Sequence, residues 1–558
     1  LRVGDTVELV DRTERPANHP LSGDFLRIKA MTENLKTQEV TLEGYRLRRC
    51  SYLRPLFDGK LNEVFMLLET SEYDNRPSMV QGRVTVAASE VLKKRECQFA
   101  NVDYEAYDVS MANKWFLAGI RGSTDIKNYI FDQGTLVCRW AYTIINDHNN
   151  VSYGGQVRKL HRCEADDDSE TLSPSFSTPQ KSAFSPDASS TASASLQRTP
   201  SDNSTESKQR NAKRRASVEQ LHITPTKRRL SPTKSGRYTF GDVFCGVGGA
   251  SEGARQAGLH VSWGLELDQH AIKAYAENFP SALPIWENAH DFPAIARRRI
   301  HGVDILHLSC PCQFWSVAHT SAGKNDQANI ETLLTIGPIL KAIKPRYATL
   351  EQAPGLLQLK KHRLWFRKLI NEITAQKYNV HWTVTDQAIY GLPQRRRRLI
   401  FLCAKEGFPL PAFPKAVHGP PNSGLKNWVT VGDALMELKR RGVAADAIDE
   451  YHKPEVEKPL KHPREPVDPF SVQAKCITTS GGENTHPSGT RKFTPREFAQ
   501  LQGFPLDYVF TGSRGNATKQ AGNAWAPVAN TKYFLLVAQF LEAYDLGLIN
   551  GEDEIDDL

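Results

Sequence analysis

Thr239-Phe240-Gly241-Asp242-Val243-Phe244-Cys245-Gly246-Val247-Gly248-Gly249-Ala250-Ser251 reads as a short strand running into a glycine-rich turn and then a helix that closes near Gly258. Glycines at such a turn let the backbone approach a nucleotide-like ligand closely. A second strand, Val261-Ser262-Trp263-Gly264-Leu265, ends at Glu266, well placed to accept hydrogen bonds from two ribose hydroxyls. These segments predict an α/β fold of Rossmann type. On them alone a dinucleotide enzyme fits equally well.

Further along, the apolar run Val303-Asp304-Ile305-Leu306-His307-Leu308 leads to Pro311-Cys312-Gln313, and Tyr347-Ala348-Thr349-Leu350 leads to Glu351. A thiol and a carboxyl are thus each delivered at the C-terminal end of an expected buried strand, the edge where open α/β sheets bind ligands. A lone cysteine beside an apolar strand is usually core; paired with Glu351 across the same edge, Cys312 reads as a nucleophile. Cys310 and Cys312 lack a second ligand pair at zinc-like spacing, so no metal is expected. Cys245, Cys403 and Cys476 read as packing residues.

The ordered set of motifs resembles that of the DNA cytosine-5 methyltransferases over residues 238 to 545. Asp242 to Gly249 is similar to the first, cofactor-binding motif, and Glu266 falls where the ribose-binding acid does. Asp291, within Glu287-Asn288-Ala289-His290-Asp291-Phe292, resembles the acid that contacts adenine. Pro311-Cys312-Gln313 matches the nucleophile loop and Glu351 the catalytic glutamate. Tyr390-Gly391-Leu392-Pro393-Gln394-Arg395-Arg396-Arg397-Arg398 fits the Gln-x-Arg-x-Arg motif, while Thr494-Pro495-Arg496-Glu497, Leu501-Gln502-Gly503-Phe504-Pro505 and Ala521-Gly522-Asn523-Ala524 resemble the last two. The resemblance implies S-adenosylmethionine as cofactor, held by Phe244, Gly246, Gly248, Gly249, Glu266, Leu267, Asp291, Phe292, Pro311, Asn523 and Ala524, with double-stranded DNA as substrate.

The chemistry so implied asks for these residue types. Carbon 5 of cytosine is a poor nucleophile, and attack by the Cys312 thiolate at carbon 6 makes an enamine that accepts a methyl group. Glu351, protonated or sharing a proton with ring N3, stabilises the charge that builds on the ring, a role favoured by a dry pocket. Arg396 and Arg398, two apart and on one face if extended, would hold the base carbonyl and order the nucleophile loop; the four arginines are expected to divide between pocket and DNA. A stacked base is inaccessible, so it must be flipped out.

The chain departs from the family at Glu351-Gln352-Ala353, where Glu-Asn-Val is usual, at Cys310 in place of a proline, and at Asp386 in place of an asparagine. Gln352 reaches one methylene further than asparagine, so a bond from the strand end to the nucleophile loop is expected to need a shifted backbone. The Glu-Gln pair is similar to the fungal branch named after Masc and RID, which the resemblance ties to premeiotic silencing and repeat-induced point mutation.

At 558 residues more than one domain is expected. Residues 164 to 236 are rich in Ser, Thr, Pro and charge, and read as a disordered linker. Its stretch 208 to 234 carries nine Lys or Arg against one Glu, equal to the whole chain's excess of +8, so the basic charge is local. Lys213-Arg214-Arg215 and Lys227-Arg228-Arg229 read as a bipartite nuclear localisation signal or a basic arm on phosphates, implying nuclear import partners and a nuclear location; Thr224-Pro225 and Ser231-Pro232 are phosphorylation candidates. No apolar run reaches about 18 residues, so no membrane span is expected, and nine irregularly spaced cysteines suit a reducing compartment.

Residues 1 to 163 read as a separate β-rich domain, with strands expected over 3–10, 25–30, 39–45, 62–68 and 136–142. The pattern resembles the bromo-adjacent homology domain, a chromatin module that implies histone tails as a partner; Tyr45, Trp115 and Trp140 are candidates for a methyl-lysine cage or for core. The catalytic domain then spans 237 to 558, and its target-recognition region, within 405 to 490, is short. An active methyltransferase is the leading reading; a nuclear DNA- or chromatin-binding scaffold, cytosine deamination and a transfer RNA substrate stand as alternatives.

Overall fold

The computed structural model describes residues 1–10, 24–101, 122–147, 151–166, 236–316, 319, 321–440 and 449–553. The two basic clusters of the expected linker and Trp115 lie outside the described residues. In the N-terminal region β1 (Thr6–Leu9), β2 (Phe25–Glu33), β3 (Val40–Arg49) and β4 (Glu63–Ser71) pair successively as antiparallel neighbours. β5 (Arg83–Ala87) flanks β3 and β6 (Val91–Arg95) flanks β1. β7 (Cys97–Phe99) pairs with β8 (Leu136–Asn146), which lies parallel to β4 and antiparallel to β9 (Ser152–Lys159).

The catalytic region contributes β10 (Thr239–Val243), β11 (His260–Glu266), β12 (Leu283–Trp286), β13 (Ile305–Leu308), β14 (Tyr347–Gln352), β15 (Tyr378–Asp386) and β16 (Arg397–Lys405), in spatial order β12-β11-β10-β13-β14-β16-β15. The first five run parallel because helical crossovers return the chain to the same edge. Helices cover both faces, which is why β13 and β14 are buried along their whole length and read as unbroken apolar runs. Strand order reverses between β10 and β13, so the cleft opens at their C-terminal ends.

The strand ladder also crosses the division that the sequence reading places at residue 163. β9 pairs antiparallel with the outer strand of the catalytic sheet, Val157 opposite Val380 and Gly155 opposite Trp382, making one continuous sheet. Trp382 is buried there, its ring centroid 6.2 Å from Tyr142 and 5.3 Å from Phe366. A Cβ on Gly155 would meet the Thr143 carbonyl at 2.6 Å and the Trp382 ring at 2.7 Å, so the close approach requires glycine. The Lys159 N–H donates to Asn379 Oδ1 at 3.0 Å, and its ammonium lies 3.0 Å from Glu406.

β4 explains how one region serves two cores. Val64, Met66 and Leu68 face the N-terminal core with Phe25 and Leu136, while Phe65 and Leu67 join Trp140 and Val157 in the core that contains Trp382. Of the two readings of the aromatics, core packing holds for Trp140, buried beside Phe57, and for Tyr45, whose buried ring is covered by Lys29 and Arg83 of the chain itself. No helix among the described residues is long and apolar enough to cross a membrane.

Candidate active site

The turn after β10 is held open from below. Asp242, fully buried, accepts from the Ser251 N–H at 3.2 Å and its hydroxyl at 2.7 Å, fixing the helix Gly249–Gln256 against the strand. Burial pushes its carboxyl up to about 7. Gly246, at φ +55°, has nothing within 4 Å of where a Cβ would stand, and its N–H donates to Glu266 at 3.0 Å. Glu266 also accepts from the Leu267 and Asp268 N–H groups at 2.8 Å, and burial raises its carboxyl. Phe244 is half-buried, while Leu267, Trp286 and Asp291 are exposed around the same strand ends. Open space above a left-handed glycine, a carboxylate held by backbone amides and apolar surface beside it fit a nucleoside-bearing cofactor.

The Phe292 side chain is fully buried, 5.3 Å from the Trp263 ring. A cleft lined by His290, Pro293, Glu331, Leu334, Thr335 and Pro338 opens beside Asp291. Its far wall comes from helices about 40 residues downstream of Asp291, so no local motif announces it.

Across the switch point, β13 ends at Leu308, Ser309 follows, and Cys312 stands at the start of the turn Gln313–Trp315. Cys312 is half-buried; burial first, then the charge of Glu351, push its thiol above the ordinary value, with Arg398 and Arg396 opposing. Glu351, 3% exposed, accepts from the Ser309 hydroxyl at 3.3 Å, and its other oxygen lies 2.5 Å from Arg398 Nε. That contact is a charge pair and not an aligned hydrogen bond. β14 stays in register through Gln352, opposite Leu399, and the longer amide donates to the Cys310 carbonyl at 2.8 Å, its nitrogen 3.0 Å from Cys310 Sγ. Two of the departures from the family pattern, Gln352 and Cys310, are in contact with each other.

The four arginines alternate, as an extended run should. Arg395 and Arg397 point outward, Arg395 over the Trp428 ring at 4.6 Å. Arg396 and Arg398 turn inward but do different things. Arg396 is 1% exposed and donates to the carbonyls of Ile477 at 2.8 Å, Gly522 at 3.2 Å and Ala524 at 3.1 Å. It fastens the chain at Ile477 to the C-terminal end of the helix Arg514–Asn523. Burial opposes the charge of Arg398, but Glu351 beside it raises its pKa. Asn523, at the end of that helix, lies 3.4 Å from the Gln313 amide, and Pro311 and Ala524 are half-buried. Cys476, read from sequence as packing, lies at the same arginines.

A Rossmann-type sheet carrying a thiol, a carboxyl and a guanidinium across the cleft from a glycine turn defines a group-transfer enzyme of methyltransferase fold. Residues 238–534 match the C-5 cytosine-specific DNA methylase family model, and the chain belongs to that family. It is 31% identical over 360 residues to the type II methyltransferase M.XorII of Xanthomonas oryzae, covering 51% of this chain and 81% of the relative. It is 28% identical over 321 residues to M1.HphI of Haemophilus parahaemolyticus, covering 52% and 84%. The S. pombe Dnmt2 methyltransferase structure matches at 17% identity and a TM-score of 0.38, covering 55% of this chain and 99% of that one.

Proposed function

We propose that the chain methylates carbon 5 of a cytosine flipped out of duplex DNA, through a covalent bond from Cys312 to carbon 6. The observation that carries this reading is the cluster of Cys312, Glu351 and Arg398 at the switch point, opposite the turn at Gly246. S-adenosylmethionine, when bound, supplies the methyl group; Phe244, Gly246, Glu266, Leu267 and Asp291 would hold it. In the resting protein Cys312 keeps its proton, because burial and the neighbouring carboxylate disfavour the thiolate. As the Cys312 sulfur bonds to carbon 6, the ring electron pair shifts toward N3, which takes up the thiol proton relayed through the Glu351 carboxylate, while Arg398 is left for the base carbonyl. Once carbon 5 carries the methyl group, loss of its proton to solvent expels the thiolate. Gln352 holds the backbone of the nucleophile loop through Cys310 while this occurs.

The same reading extends to setting. The Glu351-Gln352 pair supports a place in the fungal Masc and RID branch, acting in premeiotic silencing or repeat-induced point mutation. The basic clusters at 213–215 and 227–229 support a nuclear location and recognition by import machinery. A bromo-adjacent homology role for residues 1–163, with histone tails as partner, is supported by the strand pattern. Between β16 and residue 490 the described residues hold one α-helix of ten residues, Val431–Arg440, a single 3-10 turn, Pro454–Val456, and two-residue strands, which supports modest intrinsic sequence specificity.

A duplex carrying 5-fluorocytosine tests the chemistry, since fluorine cannot leave as the carbon 5 proton does. Wild type should stop as a cofactor-dependent covalent complex that Cys312→Ala does not form. If wild type binds DNA and cofactor yet forms no adduct, the covalent reading fails.

A further inference from the structure

Cys476 has no task in the reaction described above, yet it stands within the reacting cluster. It lies on the strap that follows the bridge between Gln394 and Ala474, and its Sγ is 3.8 Å from Nη1 of Arg396 and 3.8 Å from Nη1 of Arg398. Arg398 is the same side chain that pairs with Glu351, so the second thiol and the catalytic carboxyl share one guanidinium. Arg396 is almost wholly buried, and its Nε has no partner among the described residues, leaving cationic charge unspent beside the sulfur. Cys245, Cys310 and Cys403 are buried; within the catalytic region only Cys312 and Cys476 are partly exposed among the described residues. A thiol that solvent can reach and that two cations face has the setting of a reactive cysteine.

We propose that Cys476 is a modification site at the mouth of the base pocket, where peroxides and soft carbon electrophiles react in the DNA-free protein ahead of Cys312, and that the adduct closes the pocket. The titration directions agree with the geometry. Burial pushes both thiols up, but at Cys476 the guanidiniums of Arg398 and Arg396 outweigh it and the net shift is downward, whereas at Cys312 the Glu351 charge adds to burial. With hydrogen peroxide the thiolate sulfur attacks one oxygen, an S–O bond forms, the O–O bond breaks and hydroxide leaves. Sulfur is oxidised by two electrons to the sulfenic acid and peroxide is reduced by two. With iodoacetamide an S–C bond forms, the C–I bond breaks and iodide leaves. Closure of the pocket rests on the proposed function; the order of reaction of the two thiols does not.

The test treats the full chain, without DNA, with limiting iodoacetamide and follows labelling of both cysteines by peptide mass mapping across pH. Labelling of Cys476 at least about fivefold faster near neutral pH is expected, with its midpoint below the ordinary thiol value and that of Cys312 above it. Labelling of Cys312 as fast or faster, or an inert Cys476, overturns the proposal. In a second arm, peroxide-treated wild type and Cys476→Ser are each scored for 5-fluorocytosine trapping as a fraction of their own untreated level. A larger retained fraction in the variant is expected, and equal fractions overturn the closure. A protein that never traps DNA still reports its labelling order, so failure of the proposed function is seen separately.

Discussion

The sheet is used in two ways, and the two uses differ in kind. At the C-terminal strand ends, β11, β13 and β14 present side chains: Glu266, Cys312 and Glu351, the groups on which the proposed chemistry rests. Along the lateral edge, β15 presents backbone, and β9 completes the ladder with Gly154 and Gly155, whose value lies in having no side chain. The strand ends hold an unaligned charge pair between Glu351 and Arg398. The edge is a packed seam closed by Trp382, Phe366 and Tyr142, and it belongs to stability. Substitutions should therefore separate, activity falling without unfolding at one place and unfolding preceding any chemical defect at the other.

The largest effect is expected at Cys312→Ala, which should bring methyl transfer to background while the thermal midpoint stays near wild type; a residual rate above a tenth of wild type would break the comparison. Glu351→Gln keeps the shape but removes the transferable proton, and single-turnover rates should fall by about 10²–10⁴. At the edge, Trp382→Ala removes a fully buried ring and should cost about 3–5 kcal/mol in denaturant unfolding; an unchanged midpoint would mean the seam is not structural.

Acid titration sharpens the contrast. His307, buried against Trp525 with its Nδ1 2.8 Å from Thr349, is held down to about 3 by burial. Below the ordinary value of 6.5 the unfolded chain takes up a proton that the folded chain refuses, so this group costs stability progressively as pH falls from 6.5 toward 3. Asp242, raised to about 7, acts in the opposite sense over an overlapping range. The difference between wild type and His307→Gln therefore isolates the histidine, and its slope should be about 1.4 kcal/mol per pH unit. The smallest effect belongs to Lys159→Ala, whose ion pair with Glu406 lies at the rim of the seam and should contribute about 0–1 kcal/mol.

The same difference explains what the sequence made legible. The strand ends are announced by local spacing: Cys312 and Glu351 each follow an apolar run, and the glycine turn follows another. The edge is announced by nothing local. Ser152–Lys159 contains adjacent glycines, which argue against a strand, and its partner lies more than 200 residues away. A hint was present in residues 64–68, where an unbroken apolar run signals burial on both faces. The inward arginines were legible as a pair by period-two spacing, but their division of labour was not. Carbonyls at 477, 522 and 524 come together only in three dimensions, and the same folding brings Cys476 to the guanidiniums.

The most direct test of Cys312 as the centre of the chemistry is a count of atoms. The full chain is given a duplex carrying cytosine tritiated at carbon 5 together with S-adenosylmethionine, and tritium released to water is compared with methyl groups gained. The account predicts one tritium released per methyl transferred and the loss of both in Cys312→Ala. Methyl transfer without matching release, or either signal persisting in the variant, would contradict it.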